Sequence, residues 1–197
     1  MRLATVEKQQ RHEEILLSLK KLGFLSRTQI QRLHRLGGVR NTNRILNDLK
    51  PYMHVLRTQE HVYYLNAEGR RRVGAVKALK KTYQVEHHLM RNELYLAADC
   101  PASWRSEVKL TVKGELSIVA DALFTVGGRY NIIEIDHTQK MAVNREKITK
   151  YKRLCELGVF KKQPQFTWLT TTEYRRKELT LLCEGLTARI YTVSDFK

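Results

Sequence analysis

Residues 26–49 read SRTQIQRLHRLGGVRNTNRILNDL, and the reading of this stretch decides the fold of the N-terminal half. Ser26 stands three residues before Gln29, the spacing of a capping box. In that motif each side chain satisfies a backbone N–H of the other at a helix start. Ile30, Leu33 and Leu36 follow at helical intervals, and Gly37-Gly38 ends the segment. A further helix is expected from Asn41 or Thr42, with Ile45, Leu46 and Leu49 on its apolar face. Pro51 closes it, because proline has no N–H and its ring clashes with the preceding turn. Upstream, Ile15, Leu16, Leu19 and Leu22 predict a helix over 6–22 that stops at Gly23. Downstream come Val55-Leu56, the polar Arg57–Glu60, and His61-Val62-Tyr63-Tyr64-Leu65, the pattern of a β-hairpin with a polar tip.

Three short helices followed by a hairpin is the winged helix-turn-helix arrangement, in which the third helix enters the major groove of DNA. Arg40, Asn41, Asn43 and Arg44 surround the first turn of that helix. Arg suits guanine and Asn suits adenine, and a helix N-terminus favours phosphate. Arg57 and Gln59 lie at the wing tip, Arg27 opens the second helix, and Arg70-Arg71-Arg72 follow the wing. Lys77, Lys80 and Lys81 extend this basic stripe.

The charge follows the same boundary. The 197-residue chain carries +16 overall. Residues 1–85 hold 18 Lys and Arg against 6 Asp and Glu, a net of +12; residues 86–197 hold 18 against 14, a net of +4. A basic half on a near-neutral half is the footprint of a nucleic-acid-binding unit. The expected partner is double-stranded DNA, bound by residues 1–85; a protein-docking winged helix is the alternative. A homodimer is a further partner to consider.

No apolar run reaches the roughly 20 residues of a membrane span, and the N-terminus has no apolar signal segment. Cys100, Cys155 and Cys183 are odd in number and far apart, which fits neither a disulfide framework nor a zinc site. The expected location is the cytoplasm, with reduced thiols.

Residues 86–197 read as helix, three strands, helix, strand, helix, strand: a mixed α/β sandwich. The whole chain is therefore α+β. Gly127-Gly128 predicts a tight turn between strands over 116–126 and 129–138. With the glycines as the central pair, paired numbers sum to 255. Asp121 then faces Glu134, and Val119 faces Asp136. Ile118, Ala120, Ala122, Phe124, Ile133 and Ile135 share one face; Asp121, Glu134 and Asp136 share the other. Three clustered carboxylates repel, so a divalent metal, a basic side chain or a raised carboxylate pKa should offset them. Lys147 and Tyr151 lie four apart on one face of the next helix.

This order resembles the core of the PD-(D/E)XK nuclease superfamily. The resemblance implies that Glu93 on the helix, Asp121, and Glu134 are the acidic site residues. Asp136 stands where that core has lysine, with Lys147 and Tyr151 at comparable places on the following helix. The whole chain also resembles the replication-relaxation family of bacterial plasmids and conjugative elements, over about residues 10–155. The matching pieces are Tyr64-Leu65-Asn66-Ala67-Glu68-Gly69, His88 with Asn92-Glu93, Asp121-Ala122 with Phe124, and Glu134-Ile135-Asp136-His137-Thr138 leading to Lys147-Ile148 and Tyr151. Ala120 departs from the proline common before the Asp. The resemblance implies a role in plasmid replication, mobilisation or transcription control, with other replication or mobilisation proteins as further partners.

Two functions are expected to compete. The first is a DNA-binding accessory or regulatory protein of a mobile element. The second is a metal-dependent endonuclease, in which Asp121 and Glu134 would hold Mg2+ or Mn2+. A relaxase would need a His cluster, and the sequence has no His-x-His arrangement.

Overall fold

Among the described residues, 2–79 and 84–196 of the computed structural model, the chain is α+β and contains two sheets. Lys80 and Lys81, expected in the basic stripe, lie outside those residues. Two compact units divide between Asn92 and Glu93.

The N-terminal unit starts with helix α1 (Arg2–Leu22), then β1 (Leu25–Ser26), α2 (Arg27–Leu33) and α3 (Val39–Asp48). The hairpin β2 (Met53–Arg57) and β3 (His61–Leu65) follows, and the strands order as β1–β3–β2, antiparallel throughout. Ile15, Leu16, Leu19 and Leu22 of α1 bury against this scaffold with Ile30, Ile45, Leu46, Leu49 and Val62. Each such side chain contributes roughly 1.5–3 kcal/mol of burial. Ser26 and Gln29 form the expected reciprocal capping box at α2.

Helix α3 begins earlier than expected. Gly38 is its N-cap without a side-chain bond, and Val39 already lies in the helix. A glycine cap gives no polar signature, which is why the sequence points to Asn41 instead. Helix α4 (Ala67–Val73) was not expected, because it is only about two turns long and lacks apolar periodicity. The Asn66 side chain caps it by accepting from Gly69 N at 2.9 Å. A Cβ on Gly69 would sit 2.1 Å from the Tyr52 carbonyl oxygen, so only glycine lets this helix pack on the 50–52 turn.

Helix α5 (Val85–Ala97) contains the division between the units. Its first part belongs to the N-terminal unit, unlike the expected boundary at 85/86. Arg91 donates to the Leu22 carbonyl at 3.1 Å and Asn92 to the Phe24 carbonyl at 2.6 Å, and both are buried. Val85 and Leu89 pack with Phe24, Leu56, Val62 and Tyr64. These polar bonds satisfy main-chain carbonyls around the end of α1.

The C-terminal unit has β4 (Arg105–Val112), β5 (Leu116–Val126), β6 (Arg129–Asp136), α6 (Met141–Glu156), β7 (Gln165–Thr170), α7 (Glu173–Leu182) and β8 (Ala188–Thr192). The strands lie in chain order; β4, β5 and β6 are antiparallel, and β6, β7 and β8 parallel. The Gly127-Gly128 register holds from Val126↔Arg129 to Ala122↔Ile133 and stops there. Asp121 does not enter the ladder opposite Glu134. Its Oδ2 instead accepts the Ile135 N–H at 2.7 Å, taking the place of a main-chain partner. On the other flank Glu107, the residue facing Asp121 in the β4 register, has φ +54°.

The side-chain alternation changes phase at this point. Ile118 and Ala120 pack in one cluster with Leu123, Ile132 and Tyr151. Phe124 stacks on Trp104 at 5.5 Å and lines, with Ile133 and Leu94, a cavity on the opposite face. The single apolar face expected from strict alternation is therefore split between two faces, both buried. Nor is the carboxylate face open: the central strand β6 is buried continuously from Ile132 to Asp136.

Candidate functional site

Two polar constellations stand out, one in each unit. The first lies on α3. Thr42, Ile45 and Leu46 are buried, while Arg40, Asn43, Arg44 and Asn47 are exposed. Their spacing of three, one and three residues places the exposed four on one helical face. Asn47 was missed by the sequence reading, although it lies seven residues after Arg40 on the same face.

Asn41 does not join them. It is half-buried, and its Nδ2 donates to the Leu36 carbonyl at 2.8 Å. Its Oδ1 accepts from Arg44 Nη2 at 2.8 Å. At the hairpin tip Arg57 and Gln59 are exposed. Glu60 beside them accepts from Thr28 N at 2.7 Å and Thr28 Oγ1 at 2.6 Å, and lies 3.7 Å from Arg27 Nε. Arg27 is thereby held to the hairpin.

The Arg70–Arg72 run is not one stripe. Arg72 donates to Glu13 at 2.9 Å and to Tyr52 at 3.1 Å, with its guanidinium 5.0 Å from the Tyr52 ring centre. Arg71 pairs with Glu68, and Arg70 is half-buried. Lys77 is exposed. The exposed residues of the expected set are thus those of α3 and the hairpin tip, with Arg71, Lys77 and the paired Arg72 besides.

The second constellation is on β6 and α6. Glu134 is fully buried, and it accepts from Lys147 through Oε2 and from Tyr151 through Oε1. Lys147 and Tyr151 are one helical turn apart, so α6 delivers both donors to one carboxylate. Burial, and then the neighbouring Asp121 carboxylate, push the Glu134 carboxyl well above the usual range, against the pull of Lys147 and Tyr151. On acidification it takes up its proton earlier than an ordinary glutamate. Burial opposes the charge on Lys147, but Glu134 and Asp121 outweigh it and hold the ammonium above its ordinary value.

Asp136 was expected to crowd this group as a third negative charge. It belongs to a different network. Arg175 of α7 grips it with Nε at 2.7 Å and Nη2 at 2.6 Å. Asn144 donates to it at 2.8 Å and Thr170 at 2.7 Å. Burial opposes its charge, but these hydrogen bonds outweigh it and hold the carboxyl below the usual range. Neither Arg175 nor Asn144 was foreseen; Arg175 is 39 residues away in sequence and only the fold brings it near. Glu93 lies half-buried on α5, whose neighbouring Leu94 and Tyr95 serve the opposite face of the sheet through Phe124 and Trp104.

The donor set, as arranged, does not fit Mg2+ or Mn2+. Both Glu134 oxygens accept from Lys147 and Tyr151, and one Asp121 oxygen accepts from the backbone. Among the described residues no group of three His, Cys, Asp or Glu side chains could hold a metal ion. Lys147 already supplies the cation that balances the acids.

A profile of the replication-relaxation family matches residues 16–169, and the chain belongs to that family. The chain is also similar to the crystal structure of protein VC1899 from Vibrio cholerae, at 17% identity and a TM-score of 0.44. The similarity covers 94% of this chain and 49% of that one, so this chain spans about half its length. No curated protein matches. No helix among the described residues is long and apolar enough to cross a membrane.

Proposed function

We propose that the N-terminal unit is a winged helix-turn-helix that binds double-stranded DNA, and that the chain is a cytoplasmic accessory or regulatory protein of a bacterial mobile element. The helix–strand–helix–helix–hairpin order and the β1–β3–β2 sheet support the winged-helix reading. One observation carries it: α3 buries Thr42, Ile45 and Leu46 and leaves Arg40, Asn43, Arg44 and Asn47 exposed together. Arg and Asn are the side chains that pair with guanine and adenine edges in the major groove. The exposed Arg57 and Gln59 at the wing tip suit the adjacent backbone or minor groove. Binding of the full chain to the element's own DNA tests this. With about six phosphates contacted, log K falls with log[salt] at a slope near −5. Affinity that is flat in salt contradicts the reading.

The order of α5, three strands, α6 and β7 supports reading the C-terminal half as a non-catalytic version of the PD-(D/E)XK core. Asp136, at the lysine position, is committed to Arg175, and Glu134 is committed to Lys147 and Tyr151. The endonuclease alternative is favoured by the meeting of Asp121, Glu134 and Lys147. Thermal stabilisation by Mg2+ or Mn2+ together with nicking of supercoiled DNA, both lost in Asp121→Asn, replaces the first reading with the second.

A further inference from the structure

We infer that Asn41 is a positioning residue that sets Arg44 for guanine, so that α3 recognises duplexes carrying a guanine opposite Arg44. This rests on the DNA-binding reading. Asn41 sits off the exposed face formed by Arg40, Asn43, Arg44 and Asn47, and its amide is already used. Its Nδ2 donates to the Leu36 carbonyl at 2.8 Å. That bond fixes which way the amide points, because its own oxygen cannot face another carbonyl oxygen. Oδ1 is left aimed at Arg44, three residues on, and accepts from Nη2 at 2.8 Å.

The consequence lies in the arginine. An exposed Arg side chain samples many rotamers, and a base contact must select one. The bond to Asn41 selects before DNA arrives. A guanidinium has five N–H donors, and the O6 and N7 edge of guanine takes two. One donor spent on Asn41 leaves enough for the bidentate contact. Gly38 caps α3 without a side chain, so Asn41 is free of the capping role that its place near the helix start would suggest. The turn between α2 and α3 thereby acts on base choice through Leu36, Asn41 and Arg44.

The test selects a preferred site for the full-length protein from randomised duplexes. Affinity is then compared with the same duplex carrying A·T in place of the guanine pair that depends on Arg44. Arg44→Ala loses roughly five- to 150-fold discrimination at that pair. Asn41→Ala loses roughly two- to tenfold there, the scale of one hydrogen bond, and leaves discrimination at other pairs unchanged. In the Arg44→Ala background, Asn41→Ala has no further effect. In the free protein, relaxation of the Arg44 Nε–H reports an ordered guanidinium that becomes mobile in Asn41→Ala. Equal mobility in the two proteins overturns the inference without any DNA. So does an Asn41→Ala effect that is uniform across duplexes or independent of Arg44. A wild-type chain that binds no duplex overturns the DNA-binding reading itself, and the inference with it.

Discussion

The polar face of α3 and the polar cluster on β6 draw on similar side chains for opposite purposes. On α3, Arg40, Asn43, Arg44 and Asn47 are exposed. On β6, Glu134 and Asp136 are fully buried, and each is met by donors from the helices that follow. An exposed arginine costs the fold little and can bind a partner. A buried carboxylate costs several kcal/mol of desolvation, and only good geometry offsets it. The groups on α3 are therefore available to a partner, while those on β6 are committed to internal order.

The largest effect should come from breaking the buried pairing. Arg175→Ala leaves the Asp136 carboxylate buried with only Asn144 and Thr170, and should destabilise the fold by about 3–5 kcal/mol in denaturant titration. Asp136→Asn added to Arg175→Ala should recover part of that loss. If Arg175→Ala alone costs under about 1 kcal/mol, the buried network is not an organising element.

The two acids should also differ in pH dependence, although they lie two residues apart. Asp136 is held below its ordinary pKa of 3.8, so its contribution is present above that pH. It is lost as pH falls through the lower folded value. Glu134 is held above 4.5, so its contribution is full below that pH and is lost as pH rises through the folded value. The stability difference between wild type and Asp136→Asn should shrink in acid. Glu134→Gln mimics the protonated glutamate, so it should match wild type in acid and gain on it as pH rises toward neutral. Parallel slopes for the two variants would contradict the separation of the two networks.

On the exposed side, Arg40→Ala should weaken specific binding by roughly 1–3 kcal/mol if it makes a bidentate base contact. Arg72→Ala should act on stability through Glu13 and Tyr52 rather than on base choice. The smallest effect belongs to the hairpin tip. Arg57→Ala should weaken all duplexes alike and reduce the magnitude of the salt slope by about 0.9, one phosphate's worth.

Local chemistry was legible in the sequence, and long-range pairing was not. The Ser26–Gln29 capping box, the polar hairpin tip and the Gly127-Gly128 turn are short-range features whose residues carry their own geometry. The register they set was readable as far as Ala122↔Ile133. Beyond it the count failed, because the Asp121 side chain takes the Ile135 N–H and the alternation shifts phase. No rule of period two anticipates a side chain replacing a main-chain partner. The Lys147–Tyr151 pair was visible from its helical spacing. Arg175 could not be paired with Asp136 without the α7 packing that joins them. The Arg70–Arg72 run looked uniform in sequence and proved divided, since Arg72 serves α1 and Arg71 serves Glu68.

The central claim is that the exposed face of α3 binds DNA while the β6 cluster holds the C-terminal unit together. It is tested most directly by fluorescence anisotropy of full-length proteins on the element's own DNA and on a random duplex. One variant carries Ala at Arg40, Asn43, Arg44 and Asn47; the other carries Glu134→Gln with Lys147→Met. The account predicts that the α3 variant stays folded and loses its preference for the element's DNA. The cluster variant should keep that preference and change only in stability. Unchanged DNA preference in the folded α3 variant, or its loss in the cluster variant, would contradict the account.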